Sequence, residues 1–540
     1  MENTYNKKNK DQTSSKFSLT SFLNKNWAIL YALTLLAYTP FLFYFIWGNH
    51  DWPWILDGTP LSSGLFEGRF SQFILQTLLT QGNILPILTL SLGLLFLSLT
   101  PVILLKIWSV PQSAQNTILL GLFLTTAPYT LAWLYFAFII LSCLSWTFFV
   151  ALSFYILQKQ KPSISIPLAT ILILLAIGGY PPIINMVGII LFSLILNDLS
   201  FNKLPIKDII KKYLPHAISI ILSIILFSII IHFLKKYNLQ KETYNTASIN
   251  LSELAPKLLL SLKLCFQQFF MYKSFIIPTN KHLLIITMII GLYEILKNLP
   301  KTFLHISLYF LCILGLLISS ILTTFAATNT NYVLFEPRIE FFSIVYIYLY
   351  FLSINLSSKN NFIKNLSTVF IVFIIFSQIN TISYAQKVWK LGFISEGLLS
   401  ERIIKRIENH PNFQINRSYI YQQSGVLNFR GRFHTPLKQE TTDVYFITAP
   451  YIPWHIPTNA LKLYYPQNIF SKSFDVYWSH INPLELEVST NLANYLQYYA
   501  EPYPNNNSIY LNNDKIIITL TRSANDSAIN WLHKYYQQPY

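Results

Sequence analysis

The sequence predicts a polytopic α-helical membrane protein of about eleven transmembrane helices, followed by a C-terminal α+β domain in water. Three observations predict it. Of 540 residues, 53% are hydrophobic and 11% charged, whereas soluble domains carry about a quarter charged. Between residues 27 and 381 the apolar residues gather in long blocks. A helix needs about 20 such residues to cross a hydrocarbon core of about 30 Å. Beyond 381, Pro, Asn, Tyr and charge become frequent and no apolar run is long enough to span.

The formal net charge of +16 does not require nucleic acid, and no nucleic-acid partner is expected. Lysines at the ends of apolar blocks orient membrane helices, because cytoplasmic loops collect positive charge. Cys143, Cys265 and Cys312 are scattered without paired companions or metal-ligand spacing, so neither a disulfide framework nor a metal site is expected.

Residues 1–26 read as a disordered cytoplasmic tail: polar, too long for the leading region of a signal peptide, and without a cleavage site after the first apolar run. Spanning helices are expected at 27–47, 84–105, 116–131, 132–157, 164–178, 183–198, 213–234, 281–296, 302–324, 340–357 and 363–381. The Pro-containing stretches TTAPYT and GGYPP are either breaks between helices or kinks within them. With the tail inside, the inner loops carry Lys106, then Lys159 and Lys161, then Lys203, Lys207, Lys211 and Lys212, then Lys297 and Lys301, then Lys359 and Lys364. Every one is basic, as the charge rule demands. An odd number of spans sends residues 382–540 outside.

The outer connections include 48–83 and 235–280, whose stretches near 61–80 and 251–273 are amphipathic and suited to lie along the membrane surface. In the C-terminal region 393–409 has helical periodicity. DVYFIT and KIIITLT read as strands, with NND as a hairpin turn between SIYL and KIIITLT.

Ionisable groups at the membrane edge are where function is sought first. Before residue 400 the sequence holds only two arginines, Arg69 and Arg338, both on the expected outer side, while the inner loops use Lys. Orientation alone does not put Arg there. The planar donor fork of Arg suits phosphate oxygens; the plainer alternative is salt bridges to Glu67, Glu336 or Glu340. The first outer loop, WGNHDWPWILDGTPLSSGLFEGRF, places Asp51 just after the first span, then Asp57, then Glu67 beside Arg69. A carboxylate there can take a proton from a sugar hydroxyl while an arginine stabilises a departing phosphate. Trp47, Trp52 and Trp54 flank the acid, either as interfacial anchors or as platforms for sugar faces.

The segments HDWPWILDG and FEGRF resemble the first outer loop of the GtrII-type glucosyltransferases, within the broad GT-C class. LTTAPYTLAWLYFAF and GGYPPIINMVGIILF are similar in place and character. One departure stands out: His50 occupies the place of the family's first acid, which leaves Asp51 as the match to the second. The resemblance implies a multi-pass enzyme of the bacterial cytoplasmic (inner) membrane, N-terminus inside and C-terminal domain outside. It would move a hexose, glucose by family likeness, from a polyprenyl-phosphate donor to a surface polysaccharide such as O-antigen, with inversion. Asp51 would be the base, Asp57 and Glu67 its alternates, Arg69 and Arg338 the phosphate ligands. His50, Trp52 and Tyr180 would contact substrate, Tyr180 otherwise serving to shape a turn. The lipid bilayer and a glycan acceptor are implied partners, with a donor-synthesising enzyme and a flippase upstream. No cofactor is implied, and no glycine-rich phosphate loop is present.

Arg430, Arg432, Trp454 and His455 offer acceptor contacts from the C-terminal region, or are ordinary surface residues. Two rivals share these features. A transporter or flippase of a lipid-linked saccharide calls for substrate-binding polar groups near the bilayer midplane, where the expected spans hold almost no ionisable residue. A polymerase or ligase calls for larger outer loops rich in Arg and His.

Overall fold

The computed structural model describes residues 26–45, 65, 68–83, 85–134, 139–239, 254–266, 278–298, 302–327, 341–414, 420–424, 472–476, 508–511 and 515–519. The chain divides into two compact units, Met1–Phe45 with Leu61–Ser383 and Ile46–Pro60 with Tyr384–Tyr540.

The first unit is helical. Its described helices are α1 (Asn26–Ala37), α2 (Thr39–Phe43), α3 (Phe70–Thr80), α4 (Pro86–Ile107), α5 (Ala114–Thr125), α6 (Leu131–Leu134), α7 (Ile140–Lys159), α8 (Pro162–Gly179), α9 (Ile184–Ser200), α10 (Ile206–Lys236), α11 (Leu254–Phe266), α12 (Pro278–Leu296), α13 (Phe303–Ala327) and α14 (Tyr346–Leu356), and it holds the first part of α15 (Asn361–Glu408), which continues past Ser383 into the second unit. Each expected span carries a helix, but among the described residues seven helical stretches are long and apolar enough to cross a membrane. Thus the chain is a polytopic helical membrane protein. Proline shortens some of the expected spans. The first expected span divides at Tyr38, with Pro40 starting α2. The third ends at Thr125, before a 3-10 turn at Pro128–Thr130. Proline fixes φ and lacks a donor, so it ends one helix and starts the next. The last expected span, by contrast, does not stop at 381: α15 runs on to Glu408.

Burial sorts the helices. Every residue of α14 is buried; a helix apolar on all sides belongs in a protein interior. It packs on α5, α9 and α12, while α7 packs between α4 and α8, and α9 against α13. α10 is the opposite case: it packs on α8 through a narrow side that includes Ser219 and Ser223, and most of its apolar residues are exposed among the described residues. Since lipid tails are as apolar as Leu, specificity between membrane helices comes from close packing and interhelical hydrogen bonds. Thr34 and Thr125 Oγ1 pair at 2.9 Å, Thr100 and Thr147 at 3.0 Å, and Trp108 Nε1 donates to Ser193 Oγ at 2.9 Å. Tyr38 OH bonds Thr130 Oγ1 and donates to the Thr125 carbonyl at 3.0 Å, which ties α2 to the turn that ends α5.

In the second unit the described strands form a sheet of order β2-β1-β4-β3, with β1 (Ile420–Ser424), β2 (Lys472–Val476), β3 (Ile509–Leu511) and β4 (Lys515–Thr519). The expected SIYL and KIIITLT strands pair antiparallel, Tyr510 opposite Ile517. The pairs β1–β2 and β1–β4 are parallel. Parallel partners need long crossovers, which local sequence patterns do not announce. Ile509, Leu511 and Ile516 are buried, as are Ile403 and Ile407 on the helix. Arg406 Nη1 donates to Ser508 Oγ at 3.4 Å. DVYFIT, the NND turn, Arg430, Arg432, Trp454 and His455 lie outside the described residues.

Candidate active site

Arg69 enters the fold through the glycine before it. Gly68 has φ 75°, a left-handed conformation that costs an L side chain roughly 1 kcal/mol, and its N–H donates to the Leu65 carbonyl at 2.9 Å. The chain thereby turns into α3 with Arg69 as its N-cap, and no side chain caps that end. Phe70 then fixes the helix. Its ring occupies the space beside Gly178, where an added Cβ would lie 2.2 Å from Phe70 Cζ. The neighbouring Gly179 is filled the same way by Trp146, whose Nε1 would sit 1.8 Å from a Cβ and which donates to Ser142 Oγ at 2.7 Å. Two adjacent glycines therefore let α3 and α7 press against the end of α8.

The same closure sets Tyr180, the first residue past α8, in an extended conformation before the 3-10 turn Pro181–Ile183. GGYPP is thus a break between helices. The Arg69 guanidinium carbon lies 5.4 Å from the Tyr180 ring centroid. Beneath it, Trp133 meets Tyr180 edge-on at 4.8 Å and 85°, and Phe342 packs at 5.6 Å from Tyr180 and 5.8 Å from Trp133. Phe342 belongs to a π-helical turn, Phe341–Val345, that leads into α14. The result is a half-buried cation over a buried aromatic floor. Ser71 Oγ, Gln72 Oε1 and Trp133 Nε1 are buried around it without a hydrogen-bond partner among the described residues.

Of the residues the sequence singled out, the structure brings Arg69 and Tyr180 together. His50, Asp51, Trp52, Asp57, Glu67 and Arg338 lie outside the described residues. Trp133 and Phe342 were not singled out. Trp133 sits inside the LTTAPYTLAWLYFAF segment, so a signal existed, while nothing local marks Phe342 as more than core. Among the described residues no three His, Cys, Asp or Glu side chains gather.

Three of the segments that carry the family resemblance, with Arg69, Trp133 and Tyr180 in them, thus meet at one end of the helical bundle. In agreement, a family model described as glucosyl transferase GtrII matches residues 54–354. The match takes in Asp57, Glu67, Arg69, Tyr180 and Arg338, and begins three residues after Asp51. No curated protein and no solved structure matches the chain.

Proposed function

The chain belongs to the GtrII glucosyl transferase family and is a membrane glucosyltransferase, and from that premise we propose a GT-C type reaction at the Arg69 end of the bundle. The donor is a polyprenyl-phosphate glucose and the acceptor a surface polysaccharide such as O-antigen, met on the outer face of a bacterial inner membrane. The observation that carries this reading is the Arg69 guanidinium over Tyr180 at the uncapped start of α3. A helix N-terminus and an adjacent guanidinium both favour a phosphate.

In the proposed step the acceptor hydroxyl oxygen attacks the anomeric carbon from the face opposite the phosphate, so the configuration inverts. The bond from that carbon to the phosphate oxygen breaks, and Asp51 takes the hydroxyl proton. Asp57 and Glu67 orient the acceptor, alongside His50 and Trp52. The departing polyprenyl phosphate gains a negative charge as the bond breaks. Arginines at that oxygen are therefore worth more in the transition state than with bound donor, the condition for catalysis. In the sequence Glu67 is two residues from Arg69 and Arg338 four residues from Phe342. The exposed apolar faces of α10 supply a surface along which a polyprenyl tail can lie.

Membranes carrying Asp51→Asn, supplied with a polyprenyl-phosphate glucose and acceptor glycan, test the assignment. Loss of a general base lowers turnover by about 10²–10⁴-fold, with protein level and thermal stability unchanged. Near-normal transfer removes Asp51 from the mechanism and turns attention to Asp57 and Glu67.

A further inference from the structure

The far end of α9 from Tyr180 opens on a cavity of about 580 Å³. α9 is 17 residues long, so at 1.5 Å per residue the two places are about 25 Å apart along it. Lys203, Lys212, Lys297 and Lys359 line the cavity, against two carboxylates, Asp198 and Glu294. Asp198 is already spent on structure. It accepts from Lys212 Nζ at 2.6 Å, Tyr213 OH at 2.7 Å and Asn202 Nδ2 at 2.7 Å. Lys212 is thereby committed, and among the described residues Lys203, Lys297 and Lys359 have no ion pair.

These three come from three separate connections between helices, and Lys203 holds a φ of 51°. That conformation is uncommon for a residue with a side chain. Orienting helices in a membrane needs lysines only on the correct side, not drawn into one concavity at the expense of backbone strain. Glu294 adds a second requirement. It is 7% exposed and its Oε1 has no hydrogen-bond partner among the described residues, and a buried carboxylate oxygen without a donor is costly.

We propose that this cavity binds a phosphate ester that carries free hydroxyl groups. Lys203, Lys297 and Lys359 hold the phosphate oxygens, and a small rotation of Glu294 lets its carboxylate accept from a hydroxyl. The chemistry has two sources, the headgroup of an anionic phospholipid such as phosphatidylglycerol and a water-soluble sugar phosphate.

The full chain in phosphatidylcholine nanodiscs distinguishes them. Phosphatidylglycerol is titrated in one arm and glucose 6-phosphate in the other, with bound ligand counted by native mass spectrometry. Wild type retains ligand in one arm, which names the source. The triple variant Lys203→Gln, Lys297→Gln, Lys359→Gln, which leaves the Asp198–Lys212 pair intact, binds about a hundredfold more weakly, and the corresponding Lys→Arg triple restores binding. Glu294→Gln weakens phosphatidylglycerol but not phosphatidate, whose phosphate carries no headgroup hydroxyl. Equal affinity of wild type and the Gln triple variant, or no binding by wild type in either arm, overturns the proposal. Equal weakening of both lipids by Glu294→Gln overturns its hydroxyl half.

Discussion

Arg69 sits with its guanidinium carbon 5.4 Å from the centre of the Tyr180 ring, which joins the start of α3 to the end of α8. A cation over an aromatic face gains about 0.5–2 kcal/mol, more as water is excluded. The ring face also restricts the orientations open to the Arg69 guanidinium.

Arg69→Lys keeps the charge and loses the planar fork. kcat/KM for the lipid-linked donor should fall roughly ten- to hundredfold while KM for the acceptor stays unchanged, and Arg338→Ala should split the same way. Steady-state kinetics with each substrate varied in turn decides this; equal losses on both sides would mean a structural role. Tyr180→Phe, which retains the ring, should stay within about twofold of wild type, whereas Tyr180→Leu should approach the Arg69→Lys rate.

Gly179→Ala puts a methyl where Trp146 Nε1 lies 1.8 Å away. The indole hydrogen-bonds Ser142 and is itself buried, so it cannot swing clear without losing that bond. Overpacking of this kind costs about 1–3 kcal/mol, and thermal unfolding in detergent should show a lowered Tm. An unchanged Tm would mean that α7 and α8 separate freely and that Tyr180 is not set by their closure.

A reporter enzyme fused after residue 400 should be active only outside the cytoplasm, and one fused after Lys359 only inside. Reversed signals would put the Arg69 end on the cytoplasmic face, away from any acceptor exposed at the cell surface. The charge pattern motivates the expectation: four of the lysines assigned to inner loops line one cavity at the opposite end of α9 from Tyr180.

Helix positions were legible because a 20-residue apolar run has few other places to go. The breaks at TTAPYT and GGYPP were legible as alternatives, since Pro marks an interruption without saying whether the axis bends or reverses. Arg69 was legible by contrast with lysine elsewhere. Phe342 was not: its sequence neighbours are those of an ordinary core segment, and its place under Tyr180 comes from the π-helical turn that starts α14. The parallel pairing of β1 with β4 was equally silent, because partners far apart in sequence leave no local period.

By itself, the sequence determined that this chain lives in a bilayer, where its apolar blocks lie, and where positive charge collects, because transfer of side chains between water and lipid is decided residue by residue. Tertiary structure alone decided that Arg69, Trp133, Tyr180 and Phe342 share one end of the bundle and that Lys203, Lys297 and Lys359 share a cavity at the other. Those meetings depend on how closely helices approach, through contacts such as Phe70 against Gly178 and Trp146 against Gly179. Packing of that kind is a property of pairs of residues, and hydropathy along one chain does not carry it.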